Sequence, residues 1–398
     1  MNVDRRPARG FVAGLVALAL FAGVASEASG QANPLKQNRP GQQQQQQGNP
    51  LAADPGANVG KLFVPDYIKP GVRLVYSSGS SQEMDDPTKP VSAGTGLTRW
   101  DVIAVTDTHV LMVQSTYLDR PAGRVYMASN VVAVNAMQVI GGTSLWTSPE
   151  AMEAMRTRGD LQVAEGPMEI DGVTYDAVTF TKIDTQTAMR QFFDKGTGLK
   201  LAEQLGQGPP QRGGDPTGFN RKINSQMQFQ TYREIELPWL GAKDPEWAQK
   251  VTAMHYRGGQ TMTQPNGPPL TLPFTYSVRF DQRGDGWALG KATIQFQGQS
   301  PSTTPTLTGR ARVGAYWMSP AALAEMKPGI IDRDESLGST LSYGVHEGNM
   351  GRLGVLTDEG PGYRMVYGYD LNDGALMYAM QHNAEMNLTL EMGLAGRE

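Results

Sequence analysis

The stretch PDYIKPGVRLVYSSGS at residues 65–80 is repeated later in the chain as PEWAQKVTAMHYRGGQ at residues 245–260. Aligned without a gap, the two versions share the opening proline, the acidic residue after it, and a tyrosine, Tyr76 in the first and Tyr256 in the second. Self-similarity at a fixed, long spacing is the sequence signature of a repeated structural unit. The sequence therefore predicts that one unit occurs twice.

Further matches follow in the same order along the chain. Ordered matches at a slowly changing offset indicate a tandem duplication, and we place the first copy at residues 59–237 and the second at residues 238–398. The matched pairs are Arg99-Trp100-Asp101 with Arg279-Phe280-Asp281, Trp146 with Trp317, Ser148-Pro149 with Ser319-Pro320, and residues 194–198 with residues 370–374. The tryptophans, serine-proline pairs and turns are most simply explained by packing, caps and turns of a shared fold.

Each copy has the pattern of antiparallel β-structure with one short helix. In MEIDGVTYDAVTF, Asp171-Gly172 is a two-residue turn signal between alternating segments, which predicts a β-hairpin. Ser148-Pro149 and Ser319-Pro320 each place an N-cap before a proline, which predicts the start of a helix in each copy. The predicted fold class is mainly β, with two tandem homologous antiparallel domains that each carry one short helix.

The hairpin and the stretch FFDKGTGLKL at residues 192–201 resemble the hairpin pair of the periplasmic lipoprotein-carrier family, where an aspartate and a Thr-Gly-Leu turn join long strands. The second copy keeps only Asp370, Gly374 and Leu376 of this turn. The resemblance implies a curved sheet or half-barrel wrapped around a helix, with an enclosed apolar cavity for acyl chains. It carries no binding residue of the family onto a position here.

The N-terminus has the organisation of a signal peptide over residues 1–28. Arginines precede the apolar run FVAGLVALALFAGVA, and small residues at a cleavage site follow it. The run is shorter than the roughly 20 residues of a membrane span, although an uncleaved anchor is the alternative. Residues 29–58, which include six consecutive glutamines, predict a disordered Gln/Pro-rich tether. We therefore expect an exported protein, periplasmic or secreted, with no transmembrane span after cleavage.

Composition and motifs narrow the function. The chain has no cysteine, which excludes disulfides, thiolate metal sites and a cysteine nucleophile. Its formal net charge is −4 at pH 7, and it has no Lys/Arg cluster, so nucleic acid is not an expected partner. It also lacks a nucleophile elbow, a P-loop and a dinucleotide fingerprint. We predict no cofactor, and we favour a binding protein over an enzyme.

The matched triplets supply four candidate site residues, Arg99, Asp101, Arg279 and Asp281. On a strand, the arginine and aspartate of a triplet point to one face and the aromatic residue between them to the other. One interpretation is a buried aromatic residue beside a solvated charge pair. The other is a pair of related carboxylates that face a shared cleft.

A second candidate cluster near the C-terminus contains Met380, His382 and Met386. Thioether and imidazole groups on one face of a strand can hold Cu(I) in an exported protein. The chain has 20 methionines, however, which favours core packing as the reason for this cluster.

The sequence predicts an exported, non-enzymatic binding protein for a lipid or another apolar ligand. The alternative is an envelope scaffold or protein-interaction module, which exposed strand edges or an apolar surface patch would favour. An enzyme with a carboxylate site that has no motif is the third hypothesis.

Overall fold

The computed structural model describes residues 61–82, 92–121, 123–140, 142–210, 219, 221–263 and 267–398. The chain is mainly β, and its strands form two antiparallel sheets of nine and ten strands. The predicted fold class is thereby confirmed. The predicted signal peptide and tether lie outside the described residues, and the boundaries of the two copies stay predictions.

The first sheet is built from two meanders. Its strands are β1 Val72–Gln82, β2 Ser92–Val105, β3 His109–Arg120, β4 Gly123–Asn135, β5 Gln162–Ile170, β6 Val173–Ile183, β7 Thr187–Asp194, β8 Lys200–Pro210 and β9 Arg221–Glu234. The last strand returns to pair with the first, which gives the order β4-β3-β2-β1-β9-β8-β7-β6-β5.

The second sheet repeats this arrangement and adds one strand. Its strands are β10 Ala253–Met262, β11 Leu270–Gly284, β12 Trp287–Phe296, β13 Ser302–Gly309, β14 Gly329–Asp334, β15 Ser339–Gly348, β16 Gly351–Gly360, β17 Tyr363–Asp370, β18 Leu376–Asn383 and β19 Leu388–Arg397. The order is β13-β12-β11-β10-β19-β18-β17-β16-β15-β14, so β19 pairs with β10 as β9 pairs with β1.

The two matched turns have the same geometry. Gly198 and Gly374 have φ angles of +73° and +76°, which glycine adopts without a Cβ penalty. The Thr147 N–H donates to the Gly198 carbonyl at 2.9 Å, and the Met318 N–H donates to the Gly374 carbonyl at 2.8 Å. These contacts leave no space for a side chain at either glycine. The turns therefore fix the start of β8 and β18 against the segment that leads into each helix.

Helices begin at both predicted serine-proline pairs. The Ser148 Oγ accepts from the Ala151 N–H at 3.0 Å to start α2, Pro149–Arg156. Ser319 caps α3, Pro320–Glu325, in the same way. The expectation of one helix per copy needs correction, because the first half also contains α1, Ala136–Ile140, and the second half a 3-10 turn, Glu246–Gln249.

A reciprocal cap accounts for the helix that the sequence analysis missed. The Asn135 Oδ1 accepts from the Gln138 N–H at 3.1 Å, and the Gln138 Oε1 accepts from the Asn135 N–H at 2.9 Å. This pattern is a capping box, which is visible in sequence as Asn followed three residues later by Gln.

Side chains fill the interior of both halves. Trp146 and Tyr76 are fully buried in the first core. In the second core, the Tyr276 and Tyr316 hydroxyl oxygens lie 2.6 Å apart among further buried aromatic rings. Within the described residues, packed aromatic cores therefore lie where the family resemblance implies an enclosed acyl-chain cavity. Open concavities lie on the outer faces of the sheets.

Candidate functional site

The two sheets contact each other through an apolar cluster. It combines side chains from β1 to β4 with side chains from β17 and the segment before β15. Its members are Val75, Leu97, Tyr117, Tyr126, Leu337, Tyr363 and Met365. A second cluster joins β2, β3 and β4 to β12 and β13. The part of the first sheet's face around Arg99 and Asp101 is therefore covered by the second sheet.

A buried ion network lies beside this apolar contact. The Arg73 Nε donates to the Asp101 Oδ1 at 2.7 Å, and its Nη1 donates to the Asp334 Oδ2 at 2.7 Å. The Arg99 Nε lies 3.1 Å from the Asp101 Oδ2, and its Nη1 lies 3.7 Å from the Asp358 Oδ2. Because Asp334 and Asp358 belong to the second sheet, the network joins the two halves.

Burial and neighbouring charges shift the pKa values of these carboxyl groups in different directions. Burial disfavours the charge on Asp101, but Arg73 and Arg99 outweigh it and lower the pKa of this carboxyl. For Asp334, burial is likewise outweighed by Arg73, which lowers the pKa to about 2. Burial raises the pKa of Asp358, and the more distant Arg99 compensates only in part. Arg233 also lies 3.7 Å from Asp334, so three arginines face three aspartates, of which Asp358 is the one nearest to neutral.

The corresponding residues of the second sheet have a different environment. Arg279 and Asp281 are exposed, whereas Arg99 and Asp101 are buried. The structure therefore does not place Asp101 and Asp281 in a shared cleft. The physical reason is that the first sheet uses this face to pack against the second sheet, while the corresponding position of the second sheet faces solvent.

An open concavity lies on the outer face of the second sheet. Its volume is about 560 Å³, and it extends over β15, β16, β17 and β18. The register places Thr357, Val366 and Met380 side by side on neighbouring strands, and Val355, Gly368 and Tyr378 in the next row. Gly368 contributes no side chain, so Leu353 and Tyr378 approach its backbone closely and form the base of the concavity.

The predicted methionine and histidine cluster is only partly assembled. Met380 and His382 lie on the same face of β18, and Met380 lines the concavity. The His382 Nδ1 lies 3.0 Å from the Thr389 Oγ1. Met386 belongs to the turn before β19, so the prediction that all three share a strand face is wrong. Within the described residues, no cluster of three or more His, Asp or Glu side chains is placed to hold a metal ion.

On the first sheet, positions equivalent to this concavity carry polar side chains. In the register of the two sheets, Gln204 occupies the position of Met380, and Arg190 occupies that of Val366. Two adjoining concavities of about 590 and 350 Å³ lie here, and they share Gly79, Thr95, Gln204 and Gln226 in their walls. We call this surface the polar groove. Equivalent places in the two halves therefore differ in chemistry.

Comparison with known proteins assigns no family. No family model matches the chain, and no curated protein matches it. The Pseudomonas aeruginosa MucA/MucB complex matches at a TM-score of 0.22 and 13% identity, over 61% of this chain and 89% of that chain. MucB in complex with MucA(peri) matches at 0.21 and 12%, over 81% and 88% of the chains. A Nostoc punctiforme protein of unknown function matches at 0.15 and 9%, over 81% and 95%.

These TM-scores are too low to support an argument about fold detail or function. What defines the protein is its own geometry: two antiparallel sheets with packed cores, a buried ionic contact between them, and open sites on the outer faces. In the part of the chain that the structure describes, no helix has the length and apolar character of a membrane span.

Proposed function

We propose that this is a non-enzymatic binding protein that holds the acyl chain of an anionic amphiphile in the open concavity of the second sheet. The observation that carries the proposal is the apolar surface formed by Val355, Val366, Tyr378 and Met380 around the glycine at 368. Its volume of about 560 Å³ lies within the range of roughly 300–1,000 Å³ that is typical of small-molecule sites.

Exposed apolar side chains extend the surface at one end. Met350 and Val345 lie in the β15–β16 hairpin, and their exposed fractions are 48% and 41%. Contiguous apolar surface of this kind marks a site for another molecule, whereas single exposed apolar residues need no explanation. An acyl chain that lies along Val366 and Met380 would remove this surface from water.

Polar groups at the edge of the concavity suit a negatively charged head group. Arg364 and His346 both line it, and Arg364 is only loosely paired, with its Nε 4.0 Å from Glu359. An exposed ion pair at this distance contributes little, so the guanidinium stays available to a carboxylate or phosphate. This charge complementarity is the reason for proposing an anionic amphiphile and not a neutral oil.

Ligand capture tests the proposal directly. Purified protein is incubated with a bacterial lipid extract and examined by native mass spectrometry, and its affinity for palmitate is measured by displacement of a fluorescent fatty acid. We expect Met380→Glu to weaken palmitate binding at least tenfold, because the new carboxylate is placed against the acyl chain. Ile183→Glu is the matched control, since Ile183 is an exposed apolar residue of the first sheet. Recovery of ligand-free protein with no displacement would contradict the proposal.

A comparison of two ligands tests the proposed contact between Arg364 and the head group. Arg364→Ala should weaken binding of palmitate more than binding of hexadecanol, which has the same chain without the charge. Equal losses for the two ligands would show that Arg364 does not contact the head group.

A protein-interaction role is the second candidate, and the edge strand β5 favours it. Among the described strands its one partner is β6, and most of its nine residues are exposed. A row of unpaired N–H and C=O groups can accept a further strand. Pro167 lacks an N–H, so a partner would pair mainly with residues 162–166. A photo-crosslinking residue at Ala164 should then yield one discrete adduct in the cell envelope, and the absence of any adduct would remove this candidate.

A further inference from the structure

We infer that the polar groove of the first sheet is a second binding site, for a neutral oligosaccharide. The site is separate from the apolar concavity, which belongs to the other sheet, and it does not depend on the proposed acyl-chain function. At the equivalent register positions, Gln204 and Arg190 of the groove replace Met380 and Val366 of the second sheet.

Strand register builds the groove in transverse rows. The central row crosses five strands, from β2 through β1, β9 and β8 to β7. Its members are Thr95, Gly79, Gln226, Gln204 and Arg190. The next row on the same face contributes Ser77, Gln228 and Phe192. Gly79 has no side chain, so the Gln226 side chain can lie close to the backbone of β1 at this point.

The amides of this groove have unused hydrogen-bonding capacity. Gln226 and Gln228 are exposed, and Gln204 is half-buried. Within the described residues, none of these three side-chain amides makes a hydrogen bond. Each amide offers both a carbonyl acceptor and N–H donors, and a sugar hydroxyl likewise donates and accepts. Three amides on two neighbouring strands thus match the pattern of adjacent sugar hydroxyls.

The arginines at the groove already have contacts of their own, which favours a neutral ligand. The Arg124 Nε lies 2.8 Å from the Asp119 Oδ1. The Arg190 guanidinium lies 4.5 Å from the centre of the Phe219 ring. A charged ligand would have to compete with these contacts, whereas a neutral ligand uses the amides alone.

Two aromatic rings add an apolar surface to the groove. Phe219 and Phe192 are half-buried, and both line the groove. An aromatic face packs against the C–H face of a sugar ring, so the groove offers both surfaces that a pyranose presents. Phe219 belongs to the segment at residues 207–219 that has no counterpart in the second half, so this wall is specific to the first sheet.

The position of the groove disfavours an extended peptide. It lies over β1, β9 and β8 in the middle of the sheet, where each strand has a neighbour on both sides. Backbone N–H and C=O groups are therefore used in the ladder, and a peptide strand cannot be added there. Recognition has to come from side chains, which again suits a sugar.

Three uncharged tetrasaccharides test the inference: cellotetraose, maltotetraose and fully N-acetylated chitotetraose. Purified protein is titrated with each by calorimetry and by saturation-transfer NMR. We expect at least one to bind saturably, and the double variant Gln204→Ala/Gln226→Ala to weaken it at least tenfold. Gln295→Ala is the matched control, because Gln295 is an exposed amide on a strand of the second sheet.

A second variant blocks the groove without removing an amide. Gly79→Leu adds a bulky side chain beside Gln226, where a Cβ alone would approach the Gln226 Nε2 to 3.2 Å. It should also abolish tetrasaccharide binding, with unfolding temperatures recorded to show that the variants fold. The inference is overturned if none of the three sugars binds, or if binding survives both the double variant and Gly79→Leu. Neither result bears on palmitate binding by the second sheet.

Discussion

Arg73 of the first sheet donates to Asp334 of the second through a buried contact of 2.7 Å between Nη1 and Oδ2. The two residues are 261 positions apart in the chain, and the same guanidinium holds Asp101 through its Nε. A charge buried between two packed surfaces is stabilising only when it keeps its partner, since removing one partner leaves the other uncompensated. Arg73 is therefore one of the contacts that fix the relative position of the two sheets.

The three aspartates of the network should respond differently to neutralisation. Asp101→Asn removes a charged partner of both Arg73 and Arg99, and we expect it to lower the free energy of unfolding by about 3–5 kcal/mol. Asp358→Asn should cost less than about 1 kcal/mol, because burial already raises the pKa of Asp358 and Asn still accepts from the Tyr363 hydroxyl. Urea unfolding of both variants measures the difference. Equal losses would show that Asp358 is a full member of the charge network.

Stability should also depend on pH in a way that follows from these shifts. The pKa of Asp334 is about 2 in the folded chain, below its usual 3.8, so its contribution is present above about pH 4. This stabilisation amounts to about 2 kcal/mol, and it is lost as the pH falls through the pKa of Asp334 in the folded chain. Asp101 acts in the same direction, because its pKa is also lowered. The raised pKa of Asp358 has the opposite sign, since the cost of burying its charge disappears on acidification.

Urea midpoints between pH 2 and pH 8 measure these contributions. We expect a steep fall in the midpoint below pH 4 that is smaller in Asp334→Asn, because the variant lacks the titrating group. An unchanged acid limb in this variant would contradict the assignment of a lowered pKa to Asp334.

The features predicted from sequence are those that depend on local chemistry. Ser148 and Ser319 cap helices because a serine oxygen can accept from a backbone N–H three residues ahead, and no distant residue is needed. The environment of Asp101 could not be predicted, because its surroundings come from Asp334 and from packing between two sheets. The sequence of the triplet at 279–281 is almost the same, yet its charges are exposed.

The apolar concavity likewise could not be predicted from the sequence. Met380 was a candidate for its chemistry, but its relevant neighbours, Val366 and Val355, lie on other strands. Which residues meet on one face depends on register, and a shift of one residue would send every side chain to the opposite face. The sequence likeness between the two halves gave no sign of the contrast between Met380 and Gln204, because neither residue lies in a matched segment.

The glycines of the matched turns should be equally intolerant of substitution. A Cβ at Gly198 would lie 2.1 Å from the Thr147 carbonyl oxygen, and one at Gly374 would lie 1.9 Å from that of Met318. Gly172 has a similar φ of +78°, but a Cβ there would have no atom within 4 Å. Alanine at this position therefore measures the cost of the left-handed backbone conformation without a steric clash. Gly172→Ala should cost about 1–2 kcal/mol, and Gly198→Ala and Gly374→Ala at least about 2 kcal/mol more.

Thermal and urea unfolding of the three alanine variants measures these costs. Similar losses at Gly198 and Gly374 would support common turn geometry in the two halves. A loss at only one of them would show that the turns have different structural roles.

A buried lysine in the first half offers the sharpest comparison between the copies. Lys200 pairs with Phe193 in the ladder, and its counterpart Leu376 pairs with Tyr369. Lys200 is buried, which lowers its pKa, and its Nζ contacts the Glu203 carboxylate at 2.7 Å. Lys200→Leu alone should cost about 3 kcal/mol, because Glu203 keeps its charge without a partner. The double variant Lys200→Leu/Glu203→Gln should recover most of this loss, since an apolar side chain then fills the site as Leu376 does. A double-mutant cycle in urea measures the coupling, and additive losses would show that the ion pair contributes nothing specific to the first core.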